Sequence, residues 1–72
     1  MAQLPILSGR ELIKVLFRLG YREVRQRGSH IRLICPGRKP VTVPNYKTID
    51  RSLLRKILRD IDVSLDEFLK LL

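Results

Sequence analysis

Residues 19–35, LGYREVRQRGSHIRLIC, decide the fold. Up to Leu19 the apolar residues recur at helical spacing, and beyond Gly20 the period becomes that of a strand. Gly20 stands where a left-handed helix C-cap belongs. Tyr21 to Gln26 reads as a polar strand suited to a sheet edge, Arg27-Gly28 as a tight turn, and Ser29 to Cys35 as a second strand. In that second strand Ile31, Leu33 and Cys35 share one face, and His30, Arg32 and Ile34 share the other.

Towards the N-terminus, Ser8-Gly9-Arg10-Glu11 is a capping box, which predicts a helix from about Gly9 to Leu19. Its apolar face is Leu12, Val15, Leu16 and Leu19, widened by Ile13 and Phe17, with Arg10, Lys14 and Arg18 opposite. Towards the C-terminus, residues 36–40 form a turn carrying Arg38 and Lys39, and Val41 to Val43 a short third strand stopped by Pro44. After a loop from Asn45 to Ile49, Asp50 caps a helix over Arg51 to Ile61. Leu53, Leu54, Ile57, Leu58 and Ile61 line its inner face, and Arg51, Arg55 and Arg59 form a row outside. A second capping box, Ser64-Leu65-Asp66-Glu67, opens a short last helix bearing Leu65, Phe68, Leu69 and Leu72.

These elements predict a single α+β domain over 1–72, α-β-β-β-α with a short C-terminal helix. Short connections make the strands an antiparallel meander. Each main helix has one apolar face, so both should cover the same face of the three-stranded sheet and leave the other open. The layout resembles the double-stranded-RNA-binding domain, a family that reads A-form duplex by shape, 2′-hydroxyls and phosphates.

Fifteen Lys and Arg stand against seven Asp and Glu, a net charge of +8. The excess is uneven: residues 1–59 carry a net +11 and residues 60–72 a net −3. Ten of the cations are Arg, whose planar fork of donors matches phosphate. The balance is that of a polyanion binder with one non-binding edge. No apolar run is long enough to span a bilayer and no lipidation signal is visible, so a membrane partner is not expected and RNA is. The N-terminal residues lack the pattern of a signal peptide, which makes the cytoplasm the expected compartment. The lone Cys35 excludes an internal disulfide, and one Cys with one His cannot build a structural zinc site. No phosphate-cradling glycine loop or dinucleotide fingerprint is present, so no cofactor and no metal are expected.

His30 is the only histidine, and histidine is the side chain that exchanges protons near neutral pH. Parity puts it with Arg32 on the open face, and Arg25 and Arg27 lie on the neighbouring strand end. RNA cleavage by its own 2′-hydroxyl needs a base for that proton, cations for the phosphorane charge and an acid for the leaving oxygen. His30 is the candidate catalytic residue. Arg25, Arg27, Arg32, Lys39 and Lys47 are candidates to hold phosphate, joined by Arg51 and Arg55 of the helical row. Ser29 reads as a strand-start residue beside them, with no acid spaced for a Ser-His-acid triad. Tyr46, in the loop after the third strand, is open to three readings: packing, stacking on a base, or proton donation. Two other functions fit the same residues. One is a double-stranded-RNA-binding module that does not cut, and the other a subunit whose charge serves an acidic protein partner.

Several segments together are similar to the HicA family of bacterial and archaeal toxins. They are Ser8-Gly9-Arg10-Glu11-Leu12, Leu19-Gly20-Tyr21, Arg25-Gln26-Arg27-Gly28-Ser29-His30, Val41-Thr42-Val43-Pro44, Leu53-Leu54-Arg55-Lys56-Ile57-Leu58 and the ending from Ser64 to Phe68. The resemblance implies an RNA-binding-domain-like fold and a ribonuclease that cleaves messenger RNA, with the histidine of the Gly-Ser-His step, here His30, essential. It also implies a HicB antitoxin as partner, which folds against the toxin and blocks its active site. The chain departs from the family where Val-Pro-x-His is common: here the segment reads Val43-Pro44-Asn45-Tyr46.

Overall fold

The computed structural model describes residues 3–72. Its elements are α1 (Gly9–Arg18), β1 (Arg22–Arg27), β2 (His30–Ile34), β3 (Val41–Pro44), α2 (Arg51–Asp60) and α3 (Leu65–Leu71). This is the α+β order expected, and each boundary falls within a residue or two of its expected place. The strands form one antiparallel sheet in the order β1-β2-β3.

The helix starts are set locally. Ser8 Oγ accepts from the Glu11 amide at 3.1 Å and Glu11 Oε1 accepts from the Ser8 amide at 3.0 Å. These bonds, the backbone one foremost, hold the Glu11 carboxyl below its ordinary value. Ser64 and Glu67 repeat the box at α3. Asp50 caps α2 by accepting from the Ser52 amide at 3.2 Å, and hydrogen bonding to Ser52 lowers its pKa.

The two main helices end alike. After α1, Tyr21 N–H donates to Leu16 O and Gly20 N–H to Phe17 O, both at 3.0 Å. After α2, Val63 N–H donates to Leu58 O at 3.0 Å and Asp62 N–H to Arg59 O at 3.2 Å. Both are Schellman turns, which need a left-handed residue at the second position. Gly20 supplies it at φ 104°, but the second turn uses Asp62 at φ 59°. A side chain there costs backbone energy that glycine avoids. Asp62→Gly is therefore expected to raise stability by about 0.5–1 kcal/mol, read as a higher denaturation midpoint at unchanged slope.

The core lies between the helices and one sheet face. Ile31, Leu33, Val41 and Val43 from the strands pack with Leu12, Ile13, Val15 and Leu16 of α1, Leu54, Ile57 and Leu58 of α2, and Phe68 of α3. No charged or polar side chain is buried among the described residues. Phe17 was expected to widen the inner face of α1 and instead is half exposed. The Schellman turn carries Tyr21 back over the helix end, and Tyr21, only 3% exposed, fills the core there.

Both main helices begin at the same end of the sheet. The Gly9 amide donates to Tyr46 O at 2.8 Å and the Ile49 amide to Leu7 O at 2.7 Å, which places both starts where β3 finishes and β2 begins. The other end is tied by Tyr21 Oη, donating to Lys39 O at 2.7 Å, and by the Arg38 guanidinium, donating to Ile61 O at 2.7 Å. Burial raises the Tyr21 pKa. Arg38 is thus a cap for the last turn of α2.

Candidate active site

The β1–β2 register builds the site. Arg22 pairs with Ile34 and Glu23 with Leu33, but the next pair is Arg25 with Arg32, so Val24 is an extra residue in β1. Side chains alternate along a strand, and one extra residue exchanges the faces beyond it. Arg25 and Arg27 share the face of Arg32 and His30, their cross-strand partners in register with the hairpin turn, and the bulge exchanges the faces of Arg22 and Glu23 beyond them.

The tight turn also falls one residue later than expected. Arg27 pairs with His30 across a two-residue loop of Gly28 and Ser29, so Ser29 lies in the turn and not in the strand. Gly28 has φ 56°, and Ser29 is not among the positive-φ residues. A left-handed first position followed by an ordinary second is the pattern of a II′ hairpin turn, which matches the strand twist.

On the open face, His30 is exposed between Arg27 on β1 and Pro44 on β3. One pair further along, Arg25 faces Arg32, whose guanidinium donates to Thr42 Oγ1 at 3.0 Å. Two like charges directly opposite across a sheet are destabilising, and no carboxylate joins them. Among the described residues the only ion pair in the molecule is Lys56 with Asp60 on α2. The cationic face is thus left un-neutralised, and a rule of sheet stability broken in this way marks a surface shaped for something else.

The loop after β3 closes the site. The Asn45 amide donates to Ser29 O at 2.6 Å, and the Tyr46 carbonyl accepts from Gly9. The Tyr46 ring then stands edge-to-face with His30, centroids 6.3 Å apart at 74°. Both main helices point their N-terminal, partially positive ends towards this end of the sheet. Gly9 is needed for the close approach: a Cβ there would lie 2.2 Å from Pro44 O.

His30, Tyr46, Arg25, Arg27 and Arg32 are thus brought together, with half-buried Ser29 beneath them in the turn. Lys47 is exposed in the adjoining loop. Lys39 sits in the β2–β3 turn at the opposite end of the sheet. Arg51 and Arg55 line a groove with Gln3, Leu4, Arg59 and Leu65 that none of the residues around His30 lines. Sequence reasoning missed Thr42, the bulge at Val24 and the role of Gly9. A glycine in the first helical position, where capping asks for none, was the one available signal for a close approach. No cluster of three or more His, Cys, Asp or Glu able to hold a metal occurs among the described residues.

Comparison with protein families finds that a model described as HicA toxin of bacterial toxin-antitoxin matches residues 9–63. Comparison with curated proteins and with solved structures finds no match. The matched span runs from the α1 start to the Schellman turn after α2, and it contains the bulge, the II′ turn and the His30–Tyr46 pair.

Proposed function

The chain belongs to the HicA toxin family, and from that premise we propose that it is the toxin of a toxin–antitoxin pair, an endoribonuclease that cleaves messenger RNA and so stops translation and growth. The observation that carries this reading is His30, exposed on an open sheet face among Arg25, Arg27 and Arg32 with no carboxylate beside them. His30 takes the proton of a 2′-hydroxyl, and that oxygen attacks the adjacent phosphorus. The arginines hold the phosphate and stabilise the charge that develops on its oxygens. Ser29 and Lys47 flank that phosphate. Lys39, Arg51 and Arg55 extend the contact to more distant parts of the RNA. The route asks nothing of a metal or cofactor, and it asks for a ribose, so 2′-deoxy substrate stays whole.

The partner is a HicB-type antitoxin presenting carboxylates to the same cationic face. Opposite charge speeds such capture and makes it sensitive to salt. The compartment is the cytoplasm, where messenger RNA is met. No helix among the described residues is long and apolar enough to cross a membrane.

Purified protein with labelled RNA in excess chelator tests the activity. Cleavage of RNA but not of the matching DNA is the expected result. RNA that shifts on a gel and stays intact in every buffer would instead make the chain a binding module. The electrostatic part has its own signature. Each phosphate contact removed lowers the slope of log affinity against log salt by about one. Arg27→Ala is expected to lower that slope, measured on His30→Ala protein to prevent cutting. Lys70→Ala, in the acidic last helix, leaves it unchanged.

A further inference from the structure

A base and cations leave the 2′-hydroxyl reaction one group short, because the departing 5′-oxygen needs a proton. We propose that Tyr46 supplies it. The proposal rests on the ribonuclease reading above and names the second proton-transfer group of that same site.

Three observations point to Tyr46. Its ring is half exposed, so it is not a core side chain. Its hydroxyl makes no hydrogen bond among the described residues, in contrast with Tyr21, whose hydroxyl is spent on Lys39 O. Its place beside His30 is held from both sides: Asn45 N–H is bonded to Ser29 O, next to His30, and Tyr46 O is bonded to Gly9 N–H at the buried start of α1. The edge-to-face contact, with centroids 6.3 Å apart, sets the two rings side by side at one place on the sheet. A phenol carries the proton the step requires. Arg25, Arg27 and Arg32 stay protonated throughout, so the acid is not one of them.

The step balances within the two residues. The 2′-oxygen gives its proton to the imidazole of His30 and bonds to phosphorus. The bond from phosphorus to the 5′-oxygen breaks, and that oxygen takes the phenolic proton of Tyr46. The products are a 2′,3′-cyclic phosphate and a 5′-hydroxyl. The imidazolium and phenolate left behind return to their starting states by passing one proton between them through water.

The test uses an oligoribonucleotide carrying at its cleavage site either the natural 5′-oxygen or a bridging 5′-sulfur, which leaves without being protonated. On the oxygen substrate Tyr46→Phe is expected to be about 100-fold slower than wild type, as loss of a general acid requires. On the sulfur substrate it is expected to come within about threefold of wild type, since no acid is called for there. His30→Ala stays slow on both, because the 2′-hydroxyl still needs its base. Tyr46→Phe cleaving the oxygen substrate as fast as wild type overturns the proposal, and the ring then only packs or stacks. Equal loss on both substrates also overturns it, and the hydroxyl is then a phosphate or structural contact. Wild type that cuts neither substrate overturns the ribonuclease reading itself. Melting curves of Tyr46→Phe matching those of wild type exclude misfolding as the source of any loss.

Discussion

His30→Ala is expected to lower the rate of RNA cleavage by about 10²–10⁴-fold and to let cells expressing the protein grow. The variant should remain folded. His30 is exposed, its side chain makes no hydrogen bond with the described residues, and it sits next to a hairpin turn that begins at Gly28, so truncating it removes little packing. Its RNA affinity should stay close to that of wild type, since the phosphate contacts are assigned to the arginines. Loss of rate with retained binding is the mark of an interaction made in the transition state. A His30→Ala protein that stays toxic and degrades RNA at the normal rate refutes the assignment of the base. One that loses binding together with activity would make His30 a positioning contact.

Gly9→Ala is expected to have the largest effect on stability, with a sign opposite to the usual one. In a helix this change ordinarily stabilises by up to about 1 kcal/mol. Here the new methyl would meet Pro44 O at 2.2 Å and Asn45 Cα at 3.0 Å, both backbone atoms that cannot rotate away. Forced overpacking costs about 1–3 kcal/mol. In a domain this small a net loss of about 2 kcal/mol lowers Tm by roughly 8–16 °C. The displaced backbone is also the one that carries Tyr46, so cleavage should fall at temperatures where the variant is still folded. A Gly9→Ala protein that melts at or above the wild-type temperature would show that α1 and the β3 end do not approach as described.

The helices and the strand order were legible because their signals are local. Ser8 with Glu11, Asp50, and Ser64 with Glu67 cap helices using partners two or three residues away. Gly20 marks a Schellman turn for the same reason. The change of period after Leu19 locates the first strand, and the parity of Ile31 and Leu33 puts His30 on the open face. The site was legible only in part. That Arg25 and Arg27 are the cross-strand partners of Arg32 and His30 depends on the two-residue loop at Gly28 and Ser29, which fixes the register of β1 on β2. Val24 is the one apolar residue of REVRQR, yet its bulge is a property of two strands in register and is not written in that strand alone. The spacing of Arg51 and Arg55 gives no hint that they line a groove of their own, since that depends on how Gln3 and Leu4 lie against α2. The turn falls at Gly28 and Ser29, one residue beyond Arg27-Gly28, because the glycine suits either position and only the register decides.

The opposition of Arg25 and Arg32 also bears on how long the protein lasts. A core of this size rarely supplies more than about 3–5 kcal/mol, and the repulsion across the open face is set against it. Whatever neutralises that face acts as a folding ligand. RNA or an antitoxin present at 100 times its Kd would add about 2.7 kcal/mol, a sum comparable with the whole stability of the free domain. The molecule is then most durable when occupied and most exposed to proteolysis when it has neither substrate nor partner.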